Sequence, residues 1–149
     1  MLDTLRVDAN LAAHRISGRP FTAAGISSFV REQGEGEPVV LMHGLPMSSY
    51  LYRKVIPRLA GHGFRAIAFD LPGLGLAERP RDFDYSIRSL GEFACAAVDA
   101  LGLDRFHLVV HDAGGPVGFQ VVVERPERIM SLTVLNTLLT LRHAPFPGE

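Results

Sequence analysis

Short apolar runs alternate with helix-like spacings along most of the chain. Residues 39–42 form a continuous apolar run, which is typical of a strand buried on both faces of a parallel sheet. Elsewhere apolar residues recur every three or four positions, which predicts helices with one buried face. In chain order the predicted elements are strand 26–33, strand 39–42, helix 49–60, strand 64–69, helix 86–101, strand 106–111, helix 114–124 and strand 129–136. Pro57 is predicted to kink or shorten the first of these helices.

This alternation predicts an α/β domain with a mostly parallel sheet flanked by helices. Residues 1–18 are predicted to be a weakly structured, short amphipathic arm, so we divide the chain into an arm, 1–25, and a core, 26–149. The carboxyl ends of parallel strands lie along one edge of a sheet, where ligands bind. His43, Asp70 and Asp112 each follow a predicted strand. We therefore expect these three residues to meet at the functional edge.

Composition narrows the class of protein. Of the 149 residues, 47% are hydrophobic, and 15 Lys and Arg stand against 16 Asp and Glu. This balance disfavours a disordered tail and a dedicated nucleic-acid binder, which needs excess positive charge. Cys95 is the one cysteine; it has no partner for an intrachain disulfide, and we predict that it lies in the core. With no secretion signal or membrane-length apolar run, we expect a soluble, cytoplasmic protein with no membrane partner, metal or cofactor.

The most informative segment is 108–119, in which a strand runs straight into a helix. Asp112 stands at the junction, with glycines just beyond it. A sharp strand-to-helix turn strains its central residue and presents that side chain over the sheet edge, as in a nucleophile elbow. A carboxylate there can attack carbon and form an ester. The alternative is that Asp112 only caps the helix. A dinucleotide-binding loop is disfavoured, because the spacing of the glycines is wrong and Pro116 has no amide donor.

The loop at residues 43–46 complements this junction. Gly44 permits close backbone approach, and Pro46 fixes a turn in which the Leu45–Pro46 bond can be cis. The turn would aim the amide of Leu45 at the sheet edge. Together with the amide of Ala113 it would form an oxyanion hole, the pair of donors that stabilises a tetrahedral intermediate. We interpret the His43 side chain as a structural group that orders the loop.

Taken together, the His-Gly-Leu-Pro loop, Asp70 with Gly73 and Gly75, and the His-Asp-Ala-Gly-Gly junction resemble the α/β-hydrolase superfamily. Within it the resemblance is to the haloalkane dehalogenase and epoxide hydrolase branch, over about residues 26 to 141. It implies that a small alkyl halide, epoxide or related electrophile alkylates the enzyme, and that a histidine-activated water then hydrolyses the ester. The implied site comprises Asp112 as nucleophile, Leu45 and Ala113 as backbone oxyanion hole, and His43, Gly44, Pro46 and Gly114 in support.

Two positions depart from the dehalogenase pattern. Haloalkane dehalogenases usually carry Trp directly after the nucleophile and Asn or Glu in the variable position of the His-Gly-x-Pro loop. Here those positions are Ala113 and Leu45, and the chain contains no Trp. Neither side chain can donate a hydrogen bond to a leaving halide. This departure favours an epoxide or another electrophile over an alkyl halide as the substrate.

The catalytic partners of Asp112 are a further departure. In the family an acid and then a histidine follow the nucleophile. After Asp112 the only acids are Glu124, Glu127 and Glu149, and the only histidine is His143; Asn136 stands where some dehalogenases carry the acid. We expect the chain to be the N-terminal part of such a core, to leave the last strand and the apolar run 138–141 uncovered, and not to complete the cycle. The alternative is a non-catalytic binding or scaffold protein of the same fold.

Overall fold

A six-stranded sheet forms the centre of the protein in the computed structural model, which describes residues 2–138, with the backbone alone for residues 2–6 and 8. The strands are β1 (Arg19–Ala23), β2 (Ile26–Gln33), β3 (Glu37–Met42), β4 (Phe64–Phe69), β5 (Phe106–His111) and β6 (Ile129–Leu135). Their order in the sheet is β1-β2-β4-β3-β5-β6. The pairs β4–β3, β3–β5 and β5–β6 are parallel, and β1 and β2 are antiparallel additions. The predicted mostly parallel sheet is confirmed.

Helices cover both faces of this sheet. They are α1 (Leu2–Ile16), α2 (Ile56–Gly61), α3 (Ile87–Ala100) and α4 (Gly114–Glu124), with short 3-10 turns at Ser49–Tyr52 and Pro126–Arg128. The larger core packs α3 and α4 on one face, and Phe69, Phe93, Phe106 and Leu108 are fully buried there. Tyr52 and Ile56 pack with Leu41 in a smaller core. Within residues 2–138, none of the helices has the length and apolar character that crossing a bilayer requires.

The prediction for the first 25 residues is wrong in two respects. Residues 2–16 are helical, and Arg19–Ala23 forms β1, which pairs with β2 in the same sheet. Pro20 lies in this outer strand, where a missing amide donor is tolerated. His14 of α1 is buried between the rings of Phe29 and Tyr50. The segment therefore belongs to the folded body.

The predicted helix 49–60 is divided in two. The 3-10 turn is capped by the Ser48 side chain and ends at Tyr52, and α2 begins at Ile56 with Pro57 in its first turn. Proline fits the first turn of a helix because the amide there has no intrahelical acceptor. The predicted shortening at Pro57 is confirmed. Helix α4 and strands β2, β4 and β5 have the predicted bounds.

Candidate active site

Asp112 lies at a sharp bend between β5 and α4. Its φ is +54°, a left-handed conformation that is strained for a residue with a β-carbon. The helix that follows has Ala113 as its N-cap residue and no side-chain cap hydrogen bond. The Asp112 side chain therefore does not serve as a cap, and the alternative interpretation of this residue is wrong. Its half-buried carboxylate faces the carboxyl edge of the sheet instead.

The loop after β3 meets this carboxylate directly. The Leu45 amide donates to Oδ1 of Asp112 at 2.9 Å. The Leu45–Pro46 bond is cis, and the Met47 amide closes the turn on the Gly44 carbonyl at 2.9 Å. Register explains the meeting, because Met42 at the end of β3 pairs with Val110 of β5. The turn therefore aims the Leu45 amide at the edge, as predicted.

Two glycines make room for this contact. A β-carbon on Gly44 would stand 2.5 Å from Cβ of Asp112 and 2.8 Å from the Ala113 nitrogen. A β-carbon on Gly114 would overlap the His43 carbonyl oxygen and stand 2.7 Å from that of Met42. Both separations are far below ordinary carbon contact distances. The loop and the bend can approach each other this closely only with glycine at both positions.

His43 is a fully buried connector between two loops. Its Nδ1 lies 2.9 Å from the Gly44 carbonyl oxygen and its Nε2 lies 3.1 Å from the Leu71 amide. Since Nε2 must accept from that amide, Nδ1 carries the proton and donates to Gly44. Burial lowers the pKa of His43, although nearby Asp70 opposes the shift. The imidazole is therefore neutral and both nitrogens are occupied, as expected for a structural histidine.

Asp70 is the second fully buried polar group at this edge. Its Oδ1 accepts the Ser49 amide at 2.6 Å, and its Oδ2 accepts the Leu76 amide at 2.7 Å. Gly75 leaves space for this carboxylate, because a β-carbon there would overlap Oδ2. Asp70 therefore fixes the loops after β3 and β4 rather than facing the cleft. His43, Asp70 and Asp112 each follow a strand at this edge, as predicted, but the His43 and Asp70 side chains bond to the loops, and of the three only Asp112 lines the cleft.

Thr137, just beyond the end of β6, is a site residue that the sequence analysis missed. Its hydroxyl donates to the carbonyl oxygen of Asp112 at 2.5 Å. The preceding Asn136 has φ +43°, a left-handed conformation that turns the chain toward the bend. The sequence offered only a weak signal, a polar residue directly after the predicted strand 129–136; the position of that strand beside β5 comes from the sheet order.

A cleft of about 630 Å³ opens over Asp112. Its lining is mainly apolar, with polar groups close to the carboxylate; the lining residues are Leu45, Ile87, Asp112, Ala113, Pro116, Asn136, Thr137 and Leu138. The side chains of Leu45 and Leu138 are half exposed, at 51% and 50%. Such a cavity suits a small, largely apolar molecule.

The other candidate catalytic groups lie elsewhere. Glu124 is the last residue of the eleven-residue helix α4, about 15 Å along the axis from its start, and Glu127 lies in the turn beyond it. Cys95 is buried, as predicted, and burial raises its pKa to about 11. Glu149, His143 and residues 139–141 of the apolar run lie outside the described residues. Strand β6 is at the edge of the described sheet with Leu132, Val134 and Leu135 exposed, as expected.

Comparison with known proteins shows which family the chain is similar to. The sequence profile of the alpha/beta hydrolase fold family matches residues 37–148. The chain is 44% identical over 110 residues to haloalkane dehalogenase 2 of Mycobacterium tuberculosis, covering 71% of this chain and 37% of that protein. It is 40% identical over 114 residues to the uncharacterized hydrolase YNR064C of Saccharomyces cerevisiae, covering 75% and 39%.

Among solved structures, the chain is similar to epoxide hydrolase VrEH1 from Vigna radiata. The TM-score is 0.74 at 37% identity, and the alignment covers 78% of this chain and 37% of that one. The chain thus spans less than two fifths of the length of these relatives.

Proposed function

The chain belongs to the α/β-hydrolase fold family, and from that premise we propose that Asp112 attacks an electrophilic carbon and forms an alkyl ester. The substrate is a small organic electrophile, an alkyl halide or an epoxide. Relatives named haloalkane dehalogenase and epoxide hydrolase support this substrate class. A cytoplasmic location stays a prediction.

The observation that carries the proposal is the hydrogen bond from the Leu45 amide to Oδ1 of Asp112. It leaves Oδ2 as the attacking oxygen. Oδ2 forms a bond to the substrate carbon while the carbon–halogen or carbon–oxygen bond breaks and its electron pair passes to the halogen or to the epoxide oxygen. A halide departs as the anion, whereas the epoxide oxygen stays on the neighbouring carbon and takes a proton from water. Oδ1 becomes the ester carbonyl oxygen and is already at the Leu45 amide. Water attack on that ester would place negative charge on Oδ1, where the Leu45 and Ala113 amides would stabilise it.

The second half of the cycle needs a base to activate that water. Among residues 2–138, no histidine donates to or accepts from Asp112, and both nitrogens of His43 are already bonded. Asn136, which follows β6, is not an acid. The acids after Asp112 in that range, Glu124 and Glu127, lie at the far end of α4 and in the turn beyond it. We therefore propose that the 149-residue chain alone stops at the ester.

Leu45 and Ala113 bear on the choice of electrophile. Both line the cleft over Asp112, and neither has a side-chain donor for a departing halide. This favours an epoxide or another electrophile whose reaction does not depend on those two side chains. A non-catalytic binding protein of the same fold is the competing function, favoured by the same absence of a base within residues 2–138.

The test is covalent labelling followed by intact-mass measurement. The chain is incubated separately with 1-bromobutane and with styrene oxide, beside the variants D112N and D104N; Asp104 is an exposed carboxylate away from the cleft. We expect one adduct on the wild type and on D104N, and none on D112N. A binding protein would give no adduct with either probe, and equal labelling of D112N would show that another group reacts.

A further inference from the structure

We infer that Thr137 is a positioning residue, which orients the Ala113 amide through the carbonyl of Asp112. Its hydroxyl donates to the Asp112 carbonyl oxygen at 2.5 Å, although the two residues are 25 positions apart. The inference rests on the proposed function, because that function gives the Ala113 amide its role as the second donor of the oxyanion hole. It adds a residue from the end of β6 to a site otherwise built from the loop after β3 and the bend after β5.

Peptide geometry supplies the link between the two groups. The Asp112 carbonyl and the Ala113 N–H belong to the same planar peptide, in which they point in opposite directions. Fixing the direction of the oxygen therefore fixes the direction of the N–H. A hydrogen bond to the carbonyl also polarises the peptide and makes its N–H a better donor. The Thr137 hydroxyl thus acts on the Ala113 amide from the opposite edge of the same peptide.

This peptide needs external support because its residue is strained. Asp112 has φ +54°, and the Gly115 amide donates to the same carbonyl oxygen at 2.9 Å. The β6 segment contributes a second contact, since the Asp112 amide lies 3.3 Å from the Leu135 carbonyl oxygen. Thr137 provides the side-chain contact in this set.

The Thr137 side chain packs closely against Gly115, in space that a β-carbon on Gly115 would fill. A β-carbon on Gly115 would overlap the Thr137 hydroxyl and stand 2.7 Å from its Cγ2. The variant G115A would therefore displace the hydroxyl without removing it. It provides an independent perturbation of the same hydrogen bond.

The ester itself provides the assay. The chain is alkylated at Asp112, excess electrophile is removed, and hydroxylamine is added. Its nitrogen attacks the ester carbonyl, the charge passes through Oδ1, and the alcohol leaves, giving a hydroxamate that is resolved by mass. We expect this cleavage to be about fivefold slower in T137V, the effect of losing one ordinary hydrogen bond. G115A should be slowed similarly, and T137S should keep the wild-type rate.

Two controls separate positioning from folding. T133V makes the same substitution on an exposed part of β6 and should leave the rate unchanged. In urea, where the oxyanion hole is absent, cleavage of the unfolded ester should be equally fast in all variants. A wild-type rate in folded T137V, or an equal slowing in T137S, would overturn the inference.

A second measurement decides the matter even if no ester forms. The residual dipolar coupling of the Ala113 N–H reports the direction of that bond. It should change in T137V and stay unchanged in T137S and T133V. If the wild type is not alkylated, the proposed function is wrong. If the dipolar coupling of the Ala113 N–H is unchanged in T137V, the positioning role of Thr137 is wrong.

Discussion

The Leu45 amide lies 2.9 Å from Oδ1 of Asp112, across 67 positions of sequence. The two residues follow adjacent parallel strands, β3 and β5. Neither segment alone defines the site, because the carboxylate comes from one strand end and its donor from the other. The contact depends on the absence of side chains at the point where the two loops cross.

The first prediction concerns that crossing. In G44A the added carbon would press on Asp112 and on the Ala113 nitrogen, so the loop must move and the Leu45 amide with it. We expect labelling of Asp112 to slow by at least about tenfold and the free energy of unfolding to fall by about 1–3 kcal/mol. Labelling kinetics and urea denaturation measure the two effects.

The matched control for this change is G61A. Gly61 lies at the end of α2 with nothing within 4 Å of an added β-carbon. We expect labelling at the wild-type rate and a change in stability within about 1 kcal/mol. Equal behaviour of the two variants would contradict the steric account of Gly44.

The second prediction concerns Asp70. D70N puts an NH2 group in place of one carboxylate oxygen, so one of the Ser49 and Leu76 amides loses its acceptor in a buried site. We expect the free energy of unfolding to fall by about 2–4 kcal/mol, measured by urea denaturation. The exposed D104N should change it by less than about 0.5 kcal/mol. A D70N protein as stable as D104N would show that the buried carboxylate does not hold the loops.

The third prediction is a loss of stability in mild acid. Burial lowers the pKa of both His43 and His14 from the ordinary value of 6.5. The unfolded chain therefore takes up protons below about pH 6.5 that the folded chain does not. The free energy of unfolding should be level between about pH 6.5 and 8 and should decrease as pH falls below that range, by up to about 1.4 kcal/mol per pH unit for each histidine.

Denaturation in urea at pH 7.5 and 5.5 measures this dependence. H62N provides the control, because His62 is an exposed residue at the end of α2; the variant should keep the wild-type dependence. H43N should flatten the curve, since one of the two buried groups is removed. Equal stability of the wild type at both pH values would contradict the conclusion that His14 and His43 are both buried in the neutral form.

The fourth prediction concerns the leaving group. L45N introduces a side-chain donor at the rim of the cleft, at the position where haloalkane dehalogenases usually carry Asn or Glu. We expect the ratio of labelling by 1-bromobutane to labelling by styrene oxide to rise about tenfold, the effect of one hydrogen bond to a developing anion. M47N changes another half-exposed residue of the same loop and should leave the ratio unchanged. No change in L45N would show that this position does not contact the leaving group.

Much of the fold was predictable because its strands and helices have strong local patterns. Helix α4 and strands β2, β4 and β5 have the predicted bounds, and the family follows from the motifs at residues 43–46 and 111–115. Strand β1 was missed because Arg19 and Pro20 give no strand signal locally. Its conformation comes from pairing with β2.

The site was predictable only where its residues have a local sequence pattern. The bend at Asp112 and the turn at Leu45 each have a short local signature. Thr137 does not, because its contact with Asp112 depends on the register of β6 against β5 and on a left-handed Asn136. Long-range register and unusual backbone conformations of this kind are not encoded in local spacing.

The most direct test of the central claim is the position of the adduct. After alkylation, trypsin digestion leaves residues 106–128 as one peptide, because Pro126 blocks cleavage after Arg125, and this peptide contains three carboxyl side chains: Asp112, Glu124 and Glu127. Tandem mass spectrometry of this peptide should locate the alkyl group on Asp112 alone. An alkyl group on Glu124 or Glu127, or spread over all three, would contradict the assignment of Asp112 as the attacking group.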